Sequence, residues 1–181
     1  MTAQYGHFAS GRWVFERESN YLDGGAPWYN VYETKDNRHI SVAPVEAKFY
    51  VELVRCMGLD PADLPDQLDR DRWPEVRRKF ADVFRSRTRD EWCAIMEGHE
   101  ACFAPVLSVD EATKDPHAKA REMFVTVDGV LQPAPAPRFS RTPSHVSRPP
   151  PESGRDTREV LAAWGFSTTE IEDLRGHKAI G

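Results

Sequence analysis

The stretch Leu22–Tyr50 constrains the fold of this chain most, because it predicts a turn, a β-hairpin and the start of a helix in immediate succession. Asp23-Gly24-Gly25 predicts a tight bend, since glycine reaches a positive φ without steric cost. Two runs rich in aromatic and β-branched residues follow, separated by a polar four-residue turn: Trp28–Glu33, Lys35–Arg38 and His39–Val42. We therefore expect an antiparallel hairpin here.

A helix is predicted directly after this hairpin. Beyond Ala43-Pro44, apolar side chains recur at the i, i+3, i+4 spacing of an amphipathic helix: Phe49, Tyr50, Leu53, Val54 and Met57. Gly58 predicts the end of the helix as a C-cap. Glu46 then lies near the helix N-terminus, where the backbone dipole favours an ionised carboxylate. Taken alone, the pattern explains Glu46 as a helix-end residue.

Local signals predict further helices and a second hairpin. Capping-box patterns, in which Ser or Thr is followed three residues later by Glu, predict helix starts at Thr88, Ser108 and Ser167. An apolar stripe at helical spacing predicts a helix between Trp73 and Phe84. Asp128-Gly129 predicts a two-residue hairpin turn. The fold class expected is α+β, with β-hairpins packed against several helices.

Proline density limits what the rest of the chain can form. Seven of the fourteen prolines lie in Pro133–Pro151, so we expect an extended crossing or wrapping strap there. Pro105 restricts Ala101–Leu107 to an edge strand at best. Residues 156–180 predict a C-terminal helix pair, and Thr2–Phe15 is loosely helical. The sequence has no β-α-β unit and no Gly-rich nucleotide fingerprint, so these patterns alone name no reaction.

Composition argues against several classes of function. The net charge is -5 and the basic residues are scattered, which gives no indication of nucleic-acid binding. The three cysteines form no C-x-x-C pair and have no His at ligand spacing, which predicts reduced thiols and no metal site. The sequence has neither an apolar run of about 18 residues nor a signal-peptide pattern, so we expect a cytoplasmic protein without a membrane span. The histidines show no partner spacing in the sequence and are expected to be exposed or structural: His7, His39, His99, His117, His145 and His177.

Five segments in order resemble the α-methylacyl-CoA racemases of the family III CoA-transferase superfamily. They are LDGGAPWYNVYETKDNRHISVAPVEAKFYVELVRCMGLD, DRWPEVRRKFADVFRSRTRDEW, ACFAPVLSVDEATKDPHA, QPAPAPRFSRTP and VLAAWGFSTTEIEDLR. The resemblance covers nearly the whole chain from about Tyr21 onward. A series of matches of this length and order is highly specific.

The resemblance implies a domain plan. Family members are about twice as long, and their front half is a Rossmann-like large domain that carries most of the CoA contacts and the proton-transferring His and Asp. We expect residues 1–21 to be a remnant helix and linker of that domain, residues 22–132 to be a small α+β domain, and residues 133–181 to be the return strap and C-terminal helices. The resemblance implies an acyl-CoA substrate in the complete enzyme and no covalently bound cofactor.

One functional position carries over from the family. The segment Ser41–Tyr50 matches the family's hairpin end, and the Glu at the place of Glu46 is similar to a residue hydrogen-bonded to the catalytic His. Racemisation removes the proton α to a thioester, passes through an enolate and returns a proton on the other face. A carboxylate on the His fixes its tautomer and tunes its pKa. The resemblance therefore makes Glu46 the candidate site residue.

Three functions stay open at this point. The short loop Asp23–Pro27 favours a racemase, because formyl-CoA-type transferases have a longer glycine-rich loop there and an Asp nucleophile in the large domain. The leading expectation is a partial racemase, inactive alone, whose partner is a second copy or a separate large-domain chain. The alternatives are a fragment of a family III CoA-transferase and a non-catalytic interaction module whose strap wraps a partner.

Overall fold

The computed structural model describes residues 2–181, which contain both helices and antiparallel strands and confirm the expected α+β class. The α-helices are α1 (Thr2–Ala9), α2 (Ala47–Cys56), α3 (Trp73–Phe84), α4 (Arg89–Met96), α5 (Val109–Lys114), α6 (Pro116–Ala120), α7 (Thr157–Ala163) and α8 (Thr168–Gly176). Two 3-10 turns span Pro61–Asp63 and Arg70–Arg72. The strands are β1 (Asn30–Glu33), β2 (His39–Val42), β3 (Phe103–Val106), β4 (Phe124–Val127) and β5 (Val130–Pro133).

The chain divides into two compact units, one ending at Ser108 and the other beginning at Val109. Each unit makes most of its contacts within itself. The family-based boundaries after residues 21 and 132 stay a prediction.

The first unit is built on a three-stranded antiparallel sheet with the order β1-β2-β3. The predicted hairpin is confirmed, with Glu33 opposite His39. Its loop is five residues long instead of four, because the Thr34 N–H donates to the Arg38 carbonyl at 2.9 Å and closes the turn from inside. β3 lies at the sheet edge, as predicted. Pro105 lies opposite Ile40 there, and because β3 has no neighbour on its other side within residues 2–181, the N–H that proline lacks is not needed for a further strand.

An aromatic core lies between this sheet and the helices. Trp28, Phe80, Phe84 and Trp92 are all fully buried. The ring of Phe84 contacts both Tyr32 and Trp92, with centroid distances of 5.1 Å in each case. Such ring contacts add to the stabilisation from apolar burial. The predicted apolar stripe on α3 is confirmed. Its buried residues are Trp73, Val76, Phe80 and Phe84, and the half-buried Val83 packs against the same core.

Local signals at the helix ends are mostly confirmed. Both halves of the capping box are present at Thr88 and at Ser167. Gly58 follows α2 at φ +74°, and its N–H donates to the Arg55 carbonyl at 2.9 Å. One expectation is wrong: the first helix ends at Ala9, because Gly11 at φ +68° turns the chain out of the helical path. Asp156 is the N-cap residue of α7, although its side chain makes no capping bond.

The second unit contains β4, β5 and the helices α5 to α8. Asp128 and Gly129 have φ values of +49° and +81°, so the predicted two-residue turn is confirmed. Residues 134–156 contain no helix or strand, as expected of the proline-rich strap. The strap begins one residue later than predicted, because Pro133 ends β5 opposite Phe124.

None of the helices in residues 2–181 has the length and apolar character needed to cross a membrane.

The bend before β1 is held by close backbone contact. A Cβ added at Gly25 would lie 2.5 Å from both the backbone N and the backbone O of Asn20, a residue that is itself buried. The Arg77 guanidinium also donates to the carbonyls of Gly24 and Gly25. The bend therefore has no room for a side chain at Gly25.

We expect Gly25→Ala to lower the free energy of unfolding by about 1–3 kcal/mol, the usual cost of crowding a packed site. Urea unfolding followed by tryptophan fluorescence measures this. The matched control is Gly6→Ala in α1, where an added Cβ meets nothing within 4 Å. An equal effect of both substitutions would contradict the close-contact explanation.

Asp23 in the same bend should make stability depend on pH. Its carboxylate accepts hydrogen bonds from the Asn20 backbone N–H and the Asn20 side chain, both at 2.8 Å, and from the Gly25 N–H at 3.0 Å. Burial raises the pKa of Asp23, but these bonds outweigh it and leave the pKa below its ordinary value of 3.8. The stabilisation is therefore present above that value and is lost as the pH falls through the lowered pKa.

We expect Asp23→Asn to be less stable than the parent chain near neutral pH, and the difference to shrink as the pH falls below 3.8. Denaturant unfolding at a series of pH values measures it. A difference that stayed constant across the series would show that the ionised carboxylate contributes nothing.

Candidate functional site

Glu46 occupies the junction between the sheet and α2. β2 ends at Val42, the chain passes through the buried Pro44, and Glu46 is the N-cap residue of α2 with extended backbone, φ -76° and ψ 138°. Its carbonyl accepts the N–H of Phe49 at 3.1 Å and of Tyr50 at 3.0 Å, which starts the helix. The predicted position at a helix N-terminus is confirmed.

The Glu46 side chain is exposed and, within residues 2–181, makes no capping hydrogen bond to α2. The carboxylate therefore keeps its acceptor sites available to another group. A carboxylate of this kind can accept a hydrogen bond from an imidazole and stabilise the charged ring.

The backbone that carries Glu46 is held by Gln67. The Gln67 side-chain amide donates to the carbonyl of Pro44 at 3.2 Å and to the carbonyl of Val45 at 3.1 Å. Gln67 is itself fixed to the core, because the buried Trp73 donates its ring N–H to the Gln67 carbonyl at 3.0 Å. No sequence pattern indicates the contact of Gln67 with Pro44 and Val45, since the residues are more than 20 positions apart.

A thiol lies on the other side of the junction. The Ala43 N–H donates to the Cys102 carbonyl at 2.9 Å, and Cys102 has a left-handed backbone with φ +46°. Burial, followed by the negative charges of Glu46 and Glu100, raises the pKa of the Cys102 thiol. Cys102 is therefore a protonated neighbour of Glu46, a poor nucleophile and a poor base at neutral pH.

Three of the histidines expected to be exposed or structural have polar partners. His177 Nδ1 lies 2.7 Å from the Asp173 carbonyl oxygen. His99 Nδ1 lies 2.6 Å from Glu52 Oε1, although the residues are far apart in sequence. His7 Nε2 lies 3.4 Å from the Tyr21 hydroxyl. His39 is exposed on β2, as expected. Cys56 joins Glu52 and His99 in a group whose ligand atoms all lie within 4.8 Å of one another, which is the one such group found among residues 2–181.

A family profile described as CoA-transferase family III matches residues 1–157. The chain therefore belongs to the family III CoA-transferases.

Within this family, the chain is similar to the α-methylacyl-CoA racemases of mouse and human. It is 42% identical to the mouse protein over 173 residues, which cover 94% of this chain and 45% of the racemase. It is 41% identical to the human protein over 170 residues, which cover 93% of this chain and 44% of the racemase. The resemblance found in the sequence is thus confirmed, and the chain spans about half the length of the curated relatives it matches.

The fold is also found in a solved structure. A CaiB/BaiF family protein from Brucella suis superposes with a TM-score of 0.63 at 17% identity, over 88% of this chain and 43% of that protein. At this level of identity the likeness concerns the fold alone.

The hydrogen bonds of Gln67 should stabilise the start of α2. We expect Gln67→Ala to weaken the start of α2 by about 1 kcal/mol, because two backbone carbonyls lose their donor. Hydrogen exchange at the Phe49 and Tyr50 amides should then be about fivefold faster. The neighbouring, exposed Leu68 provides the control Leu68→Ala. Equal acceleration in the control would show that Gln67 does not hold the junction.

Proposed function

We propose that this chain forms the small-domain half of an acyl-CoA racemase, which moves a proton at Cα of a 2-methylacyl-CoA thioester. The observation that carries this proposal is the exposed Glu46 carboxylate at the N-terminus of α2, free of its own helix. The 42% identity to the mouse racemase supports the same reaction class.

Glu46 acts in this proposal as a positioning residue. The reaction breaks the Cα–H bond, leaves its electron pair in an enolate conjugated to the thioester carbonyl, and forms a new Cα–H bond on the opposite face. Two acid/base groups are needed, one on each face. Glu46 accepts a hydrogen bond from the imidazole that serves one face, which fixes its tautomer and favours its protonated form.

We assign the two acid/base groups to a large domain that is not among these 181 residues. A separate large-domain chain could supply it, and the assembly could also include a second copy of this chain. The exposed apolar side chains support a covering partner, since Phe15 is 87% and Trp164 80% exposed. We therefore expect no catalysis by the chain alone. A stable monomer in size-exclusion chromatography would count against an unmet interface.

The decisive measurement is exchange of the α-proton of a 2-methylacyl-CoA in deuterated buffer. We expect exchange when the chain is mixed with a large-domain chain from the same source, and none with either alone. Glu46→Gln should lower the exchange rate about 10–100-fold, part of the about 10²–10⁴-fold that acid–base catalysis supplies. It should also move the acid limb of the pH–rate profile to lower pH, because the imidazole loses the charge that raises its pKa.

Two variants control for a general effect of lost charge. Glu100→Gln removes another exposed carboxylate from the same neighbourhood and should leave the exchange rate and the pH profile unchanged. Glu46→Asp keeps the charge and should restore part of the rate. Exchange by the chain alone would overturn the assignment of both bases to another part of the enzyme. If the mixture shows no α-proton exchange but does transfer CoA, the protein is a CoA-transferase instead.

A further inference from the structure

A second group of functional side chains lies at the other end of α2. Glu52 and Cys56 are one helical turn apart on α2, and His99 follows α4 in the same unit. His99 Nδ1 is 2.6 Å from Glu52 Oε1. One ligand atom from each residue lies within 4.8 Å of the other two. The group joins a carboxylate, a thiol and an imidazole.

Both sides of this group are anchored in the core. On α2, Leu53 and Val54 are fully buried between the two ligand positions. On the other side, Met96 is buried at the end of α4, and Gly98 at φ +78° turns the chain so that the His99 N–H donates to the Met96 carbonyl at 3.1 Å. The backbone positions of the three side chains are therefore fixed by packing.

The three side chains remain accessible. The side chain of His99 is 46% exposed and that of Glu52 is 34% exposed, while Cys56 is half-buried. The rotamers of the two exposed residues can adjust, and an ion can enter from solvent.

The ligand set favours zinc. Zn²⁺ is bound in proteins by thiolate sulfur, imidazole nitrogen and carboxylate oxygen at about 2.0–2.3 Å, and tetrahedral sites place these atoms roughly 3.5 Å apart. The three atoms here all lie within 4.8 Å of one another, so adjustment of the side-chain rotamers can bring them to that geometry. Ca²⁺ and Mg²⁺ prefer shells made of oxygen, which this group does not offer. Three protein ligands leave one position of the tetrahedron for water or another donor.

We propose that Glu52, Cys56 and His99 form a zinc site that joins α2 to the turn after α4. The sequence predicted no metal site, because His99 lies far from Glu52 and Cys56 in the sequence. The Glu52–His99 contact alone is explained by a hydrogen bond. The thiol of Cys56, carried to the same point by the next turn of α2, is what makes the group a zinc ligand set.

Titration of the metal-free, reduced 181-residue chain with Co²⁺ tests this proposal. Cobalt substitutes for zinc and shows a sulfur-to-metal charge-transfer band when a thiolate binds it. We expect the band to saturate at one Co²⁺ per chain and to disappear when Zn²⁺ is added. Cys56→Ser should abolish the band. His99→Ala should weaken Co²⁺ binding at least about tenfold, no less than the loss of an outer partner costs in known sites.

Matched controls separate this site from adventitious binding. Cys93→Ser removes another half-buried thiol from a helix, and His117→Ala removes another exposed imidazole. Both should bind Co²⁺ like the parent chain. No charge-transfer band in the parent, or equal loss of the band in Cys56→Ser and Cys93→Ser, would overturn the proposal. Circular dichroism of each variant confirms that the helices are retained, so that lost binding is not lost folding.

Discussion

The pairing of β2 with both of its neighbours is the constraint on which the candidate site depends. β2 is the central strand of the first sheet, and its end at Val42 determines where the chain leaves to form Glu46 and α2. Its other edge pairs with β3, with Val42 opposite Phe103. This pairing brings the residues before β3 against the start of α2, where the Ala43 N–H meets the Cys102 carbonyl. Without β3, the junction that carries Glu46 would lose its contact with Cys102.

The aromatic core makes this arrangement stable. The face of the hairpin that carries Tyr32 packs on Phe80 and Phe84 of α3, and Trp92 of α4 closes the cluster. Trp92 is tied to the same helix by a hydrogen bond, since its ring N–H donates to the Phe84 carbonyl at 2.8 Å. The rings fix α3 and α4 relative to the sheet, and α3 in turn carries Trp73, which holds Gln67. The core thus holds Glu46 in place through the packing of Trp73, the hydrogen bond from Trp73 to Gln67, and the bonds from Gln67 to the backbone before Glu46.

The sequence predicted what is decided locally. The Asp128-Gly129 turn, the capping boxes at Thr88 and Ser167 and the C-cap at Gly58 each depend on residues within a few positions, so their patterns are visible in the sequence. The position of Glu46 at a helix start was predicted for the same reason. Its role in catalysis came from the family resemblance and stays a prediction.

Contacts between distant segments could not be predicted in this way. Gln67 reaches Pro44, and His99 reaches Glu52, only because tertiary packing brings two elements together. Neither the spacing of the residues nor their type marks such a contact in a single sequence. His99 illustrates this: ligand spacing compares only neighbours in the sequence, while its partner Glu52 lies on α2.

Glu46 lies just before α2, whereas Glu52 lies in the middle of the helix and Cys56 ends it, and this determines how the two candidate sites can influence one another. Glu46 and Cys56 are ten positions apart, which corresponds to about 15 Å along a helix. A metal at Cys56 is therefore too far away to contact a group bound at Glu46. It would instead act on the segment His99–Cys102, in which His99 contacts Glu52 of α2 and Cys102 bonds the backbone of Ala43 before α2. Binding of an ion to the folded chain stabilises the fold by mass action, and here it would hold this segment, and with it the Cys102 side of the Glu46 junction, against α2. The proposed zinc site is in this sense structural, and the proposed chemistry stays at the N-terminus of the helix.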